Sequence, residues 1–473
     1  METRININYT PSMSPEFLGD FELSFMNYDN NPNSVKLKFD IKQLWSFSRD
    51  TTSAAFDFLI LAFIVYNVDR ALNRQKYSVD GWRRQIKLCN VPVNNLDSMN
   101  QGREVFNRAI SFLTGDNWNI NFVQGQGYDY NPTRKVMDYD YQDYEKVALF
   151  SGGLDSLIGF IDEASTLSAG KKVLLISHKE LGKEGHDQDN ILDYCMNNRI
   201  FEGKYDRLLL NAGLRSRTWQ ISGSPAEATF RSRSLLFFAA GIYSAYHIGE
   251  QVNLIVPENG TISINIPLDK GRRSACSTRT THPTFIKKLE EALLLIGINN
   301  KFENPYKYLS KADMMNNCYE DNSKRDILIN LANLSCSCAK RGHNHYWDKD
   351  SEIIKQTHIN HCGMCLPCLY RRVSLDAVGL DNTDLIGTDV FHGVKYNLSN
   401  REQKSTRDFK ALLFFLKNRF NEHIIRRELL MNGITDSDEL NNYVRLGMHS
   451  YEQVKDWIAT RAPHEIKQMA GIE

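Results

Sequence analysis

The chain has 473 residues, 42% of them hydrophobic, and its 57 basic side chains are matched by 57 acidic ones. That length allows about three domains of ~150 residues around sizeable cores, and the balanced charge excludes a global field that would draw the protein onto nucleic acid or an anionic membrane. Residues 1–6 lack the charged-then-apolar pattern of an export signal, so a cytoplasmic protein is expected, and its nine cysteines read as metal-binding or catalytic rather than as a disulfide framework.

Residues 1–125 read as an N-terminal α+β accessory domain. The runs 21–25 and 35–39 alternate apolar and polar with the period of a strand, and the turn-rich stretch between them predicts a hairpin. Residues 118–122 alternate again, after helix-like segments at 52–75 and 98–113. The apolar run 54–68 is broken by Asp57 and is shorter than the ~20 residues a spanning helix needs, which makes it a buried core helix. Residues 126–145, dense in Gly, Tyr, Asp, Asn and Pro, read as a linker.

From 146 to 335 the chain alternates strand and helix patterns. Strands are expected at 147–150, 173–176, 207–210 and 252–256, with helices at 157–167, 188–197, 232–248 and 284–296. This is the order of an α/β fold, a parallel sheet with helices on both faces. Ligands of such sheets bind beyond the carboxyl ends of the strands, so the segments after Phe150, Ile176, Leu210 and Val256 should converge on one site. Beyond 373 a mostly helical C-terminal region is expected, with Phe409, Leu412, Leu413, Leu416 and Phe420 as a core stripe and a further helix near 438–459.

The most informative stretch is Ser151-Gly152-Gly153-Leu154-Asp155-Ser156, which follows the first of these strands and opens a helix. Glycines let the backbone bend and approach an anion, and hydroxyls and amides at a helix start bind phosphate oxygens. The glycine spacing is neither that of a Walker loop nor that of a dinucleotide fingerprint. The plain alternative is an ordinary βα turn in which Asp155 or Ser156 caps the helix. The hexapeptide resembles the loop of the PP-loop pyrophosphatases, which split ATP between its α and β phosphates.

A second signal is Cys362-Gly363-Met364-Cys365-Leu366-Pro367-Cys368, with Cys336 and Cys338 upstream. Three thiols at this spacing and one from a distance close a tetrahedral S₄ shell around Zn²⁺, leaving no open position, so the metal would be structural. His343, His345, His358 and His361 lie near enough in sequence to replace a thiolate, and an iron–sulfur cluster is the rarer reading.

Both motifs, in this order, resemble the QueC family, the 7-cyano-7-deazaguanine synthases (adenine nucleotide alpha hydrolase-like PP-loop fold). Intermediate pieces fit as well: Phe230-Arg231-Ser232-Arg233-Ser234 before an apolar helix, His282-Pro283-Thr284-Phe285, Leu309-Ser310-Lys311-Ala312-Asp313-Met314, Leu334-Ser335-Cys336, and the pair Arg371-Arg372. The resemblance covers about 146–375. It departs in the 25 residues between Cys336 and Cys362, which leave Cys338 as an alternative ligand, and in His-Pro-Thr-Phe where the family has Arg-Pro-Glu-Phe. The extensions at both ends look like those of the long QueC-like proteins of antiviral-defence operons of the Qat and CBASS types.

The resemblance implies ATP, Mg²⁺ and Zn²⁺ as cofactors and 7-carboxy-7-deazaguanine as substrate, adenylated on its carboxylate and passed to ammonia or to an amine of a partner protein from the same operon. It implies a PP-loop ATPase domain at 146–335 and a zinc region at 336–372, with Cys336, Cys362, Cys365 and Cys368 as ligands. Ser151, Gly152, Gly153, Leu154 and Ser156 would cradle phosphates, Asp155 would hold magnesium or cap the helix, Lys311 would neutralise phosphates, and Arg233 would orient the substrate carboxylate. Ser177 and His178 are expected to meet adenine or ribose, with His186 and the polar turn Glu258, Asn259, Gly260 on the same rim. A silent ATP-binding scaffold and a tRNA thiolase are the other readings. The thiolase needs a catalytic cysteine, and Cys195 and Cys276 show no partner in sequence. A homodimer is open.

Overall fold

Burial along the strands separates two kinds of sheet. β1 (Glu2–Thr10) buries Thr3, Ile5 and Ile7 and exposes the residues between them, the pattern of a sheet with one wet face. β2 (Asp20–Met26) and β3 (Pro32–Asp40) alternate likewise and form the predicted hairpin, Leu23 opposite Val35. β4 (Gln85–Val93) and β5 (Asn117–Gln124) complete this part. β6 (Tyr144–Leu149) and β7 (Lys172–Lys179) are followed by β8 (Tyr205–Leu214), β9 (Leu254–Ile255) and β10 (Phe302–Glu303). β7 is buried at six consecutive positions, as a strand covered on both faces must be. The computed structural model describes residues 2–132, 139–180, 182–215, 226–269, 279–340, 346–349, 352–355, 359–400 and 403–472.

Among the described residues the ten strands form one sheet in the order β10-β9-β6-β7-β8-β3-β2-β1-β4-β5. It is mostly parallel; the antiparallel pairs are β8 with β3, β3 with β2 and β2 with β1. Neighbouring residues of the parallel strands point to opposite faces. Val147, Leu174, Ile176 and Leu208 join a core that includes the helix Arg233–Ile248, while Ala148, Val173 and Leu175 join another that includes the helix Leu154–Ser165. The expected helices on both faces are therefore present.

The expected separation of an N-terminal domain is not what forms. β3 pairs with β8 from Leu37 opposite Leu214 to Asp40 opposite Asn211, and one core runs from Ile5 to Ile298. The hairpin's outer edge is an unsatisfied row of amides and carbonyls, and β8 satisfies it. The expected linker is packed as well: Tyr128 is buried, and the Tyr141 hydroxyl donates to the Phe47 carbonyl at 2.9 Å. Residues 133–138 lie outside the described ones.

The C-terminal region is helical as expected, its helices Arg407–Asn418, Glu422–Met431 and Ser437–Arg461 packing Phe409, Leu412, Leu413 and Leu416 into their own core. The boundary expected at 372 falls inside the helix Leu366–Asp376, whose Leu369 and Val373 belong to that core. No helix among the described residues is long and apolar enough to cross a membrane.

Candidate functional site

Numbered by themselves, β6 to β10 run in the order 5-4-1-2-3, so the strand order reverses between β6 and β9. Connections leave this point toward opposite faces, which opens a crevice beyond the strand ends. The hexapeptide 151–156 follows β6, and Pro257, Glu258 and Asn259 follow β9. A cavity of about 420 Å³ lies there, bordered by Ser151, Gly153, Leu154, Asp155, Ser156, Glu258, Arg233 and Lys311 and by the apolar side chains Phe230, Phe237 and Ile262.

The loop is tied by its own hydroxyls. The Ser156 hydroxyl donates to the Gly153 carbonyl (3.0 Å) and accepts from the Ser151 amide (3.2 Å), and the Ser151 hydroxyl accepts from the Gly153 amide (3.3 Å). Gly152 has φ of +81°, a left-handed conformation in which a side chain is strained, and a Cβ there would stand 3.2 Å from Gln188. The helix cap is Gly153, which has no side chain to use, and the Leu154 amide instead donates to the Ser337 hydroxyl at 3.2 Å.

Asp155 does not cap the helix. Its carboxylate accepts from Lys311 Nζ at 2.5 Å and Asn259 Nδ2 at 3.0 Å, and Glu258 stands beside it. Lys311 is held by its own helix start, where Ser310 and Asp313 form a reciprocal capping box. Burial alone would push the Asp155 carboxyl up, but Lys311 and the hydrogen bonds hold it below the usual carboxylate range. Burial and the neighbouring Asp155 raise Glu258 well above its ordinary value. The proton therefore stays on Glu258, while Asp155 is the ionised member of the pair.

Arg233 opens the helix Arg233–Ile248 and borders the cavity. Its Nε donates to His178 Nδ1 at 3.3 Å, so the other ring nitrogen carries the proton and donates to the Ala212 carbonyl at 2.9 Å. Burial, and then Arg233, lower the His178 pKa to about 3. This corrects the expected nucleotide role of Ser177 and His178. Both are fully buried, and the Ser177 hydroxyl donates to the Phe150 carbonyl (2.8 Å); they support the loop and Arg233 from beneath. His186 is exposed on the helix Gly182–Asn197, while the adjacent Asp187 is buried and borders the cavity.

The thiol cluster forms with a different fourth member. Cys338, Cys362, Cys365 and Cys368 are buried with their sulfurs all within 4.8 Å of one another. A tetrahedron with Zn–S bonds of ~2.3 Å has edges of about 3.8 Å, and Cys362 Sγ stands 3.9 Å from Cys368 Sγ. The set fits a metal ion such as zinc. Gly363, with φ of +78°, turns the chain so that the Met364 and Cys365 amides both donate to Cys362 Sγ at 3.4 Å; a Cβ there would meet the Thr388 carbonyl oxygen at 2.0 Å.

Cys336, the expected ligand, is outside this set. Its amide donates to the Gly152 carbonyl at 2.8 Å and its thiol to the Asn360 carbonyl at 3.4 Å, on the cavity side of the strap 336–338. Ser337 between them is turned to the Leu154 amide, and of the two cysteines it is Cys338 whose sulfur stands with the other three. His361 accepts from the Ser337 amide at 3.3 Å; His343, His345, His358 and Cys276 lie outside the described residues. Among the described cysteines, Cys195 is buried within a hydrophobic core, without a place on the cavity.

Sequence reasoning passed over Ser337 and Asp187, and gave Phe230, quoted at the head of its segment, no role at the cavity. Ser337 had a signal, a hydroxyl set between the two candidate ligands Cys336 and Cys338. No known protein family and no curated protein matches this chain.

Proposed function

We propose that this chain is an ATP-dependent C–N ligase of the PP-loop, QueC-like type, which adenylates the carboxylate of 7-carboxy-7-deazaguanine and passes the acyl group to nitrogen in bacterial antiviral defence. One observation carries the reading: a glycine- and hydroxyl-rich loop stands at the switch point of a parallel sheet and opens on a cavity that Lys311 and Arg233 both border.

A carboxylate is a poor electrophile, since its charge repels nucleophiles and oxide leaves badly. Its oxygen bonds to the α-phosphorus of ATP while the bond to pyrophosphate breaks; nitrogen then bonds to the acyl carbon, AMP leaves with the C–O electron pair, and nitrogen loses a proton. The demand on the protein is electrostatic. Loop amides and the Ser151 and Ser156 hydroxyls hold phosphate oxygens, Lys311 turns from Asp155 to the pyrophosphate, and Arg233 fixes the carboxylate as a two-pronged donor. Asp155 and Glu258 would hold Mg²⁺, which neutralises charge on the leaving group when bound. Cys338, Cys362, Cys365 and Cys368 would hold Zn²⁺ with no open position, a structural clamp.

With ammonia, the amide is dehydrated to a nitrile through a second adenylation; with a partner protein's amine, the amide is the product. Protein, ATP, Mg²⁺ and 7-carboxy-7-deazaguanine are incubated with ammonia or with proteins of the same operon. Carboxylate-dependent pyrophosphate release, with a nitrile or a partner mass increase, is the expected result. No pyrophosphate under any of these conditions overturns the reading.

A further inference from the structure

The N-terminal residues, which have no counterpart in the resemblance, hold the wall of the cavity that carries Phe230 and Arg233. The helix Ala54–Ala71 is buried almost throughout, yet carries Tyr66, Asp69 and Arg70 near its end. Buried polar groups are costly unless paired, and these are paired to the segment 227–233 and its neighbours. Asp69 Oδ2 accepts from the Ser232 amide (3.0 Å) and hydroxyl (2.7 Å). Its Oδ1 accepts from Arg74 (3.2 Å) and Arg84, which also bind Asp116, so two carboxylates pair with two guanidinia in a buried cluster, and the buried Arg231 beside them donates to the Thr114 carbonyl (3.0 Å).

Other bonds grip the same segment. The Glu227 amide donates to the Arg70 carbonyl (2.8 Å) and its carboxylate accepts from the Arg74 amide (2.9 Å). Arg70 lies 3.9 Å over the ring of Phe230 and binds Glu180 (3.3 Å), which also accepts from the Tyr66 hydroxyl. Phe230 has φ of +48°, a left-handed conformation that a bulky residue keeps only when its surroundings impose it. Arg233 lies three residues on, with His178 fixing its other side.

We propose that Asp69, Tyr66 and Arg70 are positioning residues for Arg233 and Phe230, so that the N-terminal residues are an integral part of the carboxylate-binding site. This rests on the reading of Arg233 as the carboxylate's partner. Asp69 fixes the residue before Arg233 through two bonds, and the ion cluster behind Asp69 fixes Asp69 itself.

The test is ATP–pyrophosphate exchange by the full-length protein, driven by 7-carboxy-7-deazaguanine. Ser232→Ala removes one bond to Asp69 and should raise the KM for the carboxylate about tenfold, the worth of one charge-assisted hydrogen bond, with the KM for ATP unchanged. Ser232→Thr, which keeps the hydroxyl, should restore it, and Asp69→Asn should raise it further. If Ser232→Ala leaves that KM within twofold while Arg233→Ala raises it, the positioning role falls and the proposed activity stands. If the unaltered protein shows no carboxylate-dependent exchange, both fall.

Discussion

The strap 336–338 and the segment 227–233 border the same cavity but are held by opposite chemistries. The strap's own Cys338 converges with three thiols behind it on one point, a cage that fits a single soft cation. Behind the other segment stand Asp69, Asp116, Arg74 and Arg84, charges that satisfy one another without an ion. The first wall would draw its cohesion from an exchangeable ion on oxidisable thiolates. The second draws it from burial, where breaking one partner leaves an uncompensated charge. Chelators and oxidants should therefore attack the thiol wall and spare the ion wall.

The largest expected effect is on the thiol wall, since structural zinc is worth ~10–16 kcal/mol in small zinc peptides. Cys338→Ser should lose the bound metal by elemental analysis and expose the amides of the strap and of the helix Leu366–Asp376 to hydrogen exchange, while the helix Ala54–Ala71 stays protected. Cys336→Ser should keep one metal per chain. Loss of metal in Cys336→Ser with retention in Cys338→Ser would reverse the ligand assignment.

Next is the ion wall. Arg84 is fully buried, and Arg84→Met should cost about 3–5 kcal/mol of unfolding free energy by leaving Asp69 and Asp116 short of a partner. Metal content should not change. A drop within 1 kcal/mol would mean that the cluster does not hold its wall.

The smallest effect is one of pH, at the histidine that braces Arg233. His178 stays neutral in the folded chain, its pKa lowered to about 3 from 6.5 by burial and then by Arg233. A depressed folded pKa means that the unfolded chain takes up the proton first, so the stability is complete above pH 6.5 and is lost as pH falls toward 3. Between pH 7 and pH 5 the loss from this group amounts to about 2 kcal/mol. In urea unfolding, His178→Gln, with an uncharged side chain that can keep both hydrogen bonds, should lose that much less over the same interval. An equal loss in both proteins would show that His178 is not a protonation site of unfolding.

What the sequence made legible was local. The loop 151–156 and the triple at 362, 365 and 368 are contiguous, and β6, β7 and β8 announce themselves as apolar runs. β9, expected at 252–256, is a two-residue strand, too short for periodicity to bound. What escaped depends on contacts far apart in the chain. The pairing of β3 with β8 is set by one strand's need for a neighbour, which no window of residues records. Arg84 and Asp116 look like ordinary surface charges until both prove sealed beside Asp69. The choice between Cys336 and Cys338 depends on which sulfur reaches the distant triple, which their two-residue spacing does not record. Ser177 and His178 do end a parallel strand, but beneath the crevice rather than in it.

The junction of β3 with β8 also bears on how the chain is made. Asp40 leaves the ribosome with its β-sheet partner Asn211 still unsynthesised, and at ~5–20 residues per second the wait is roughly ten to thirty seconds. Through that interval the growing polypeptide carries a finished hairpin with one open side, the kind of edge to which a second nascent chain can add a strand. A product cut short near residue 125 would keep that adhesive edge permanently.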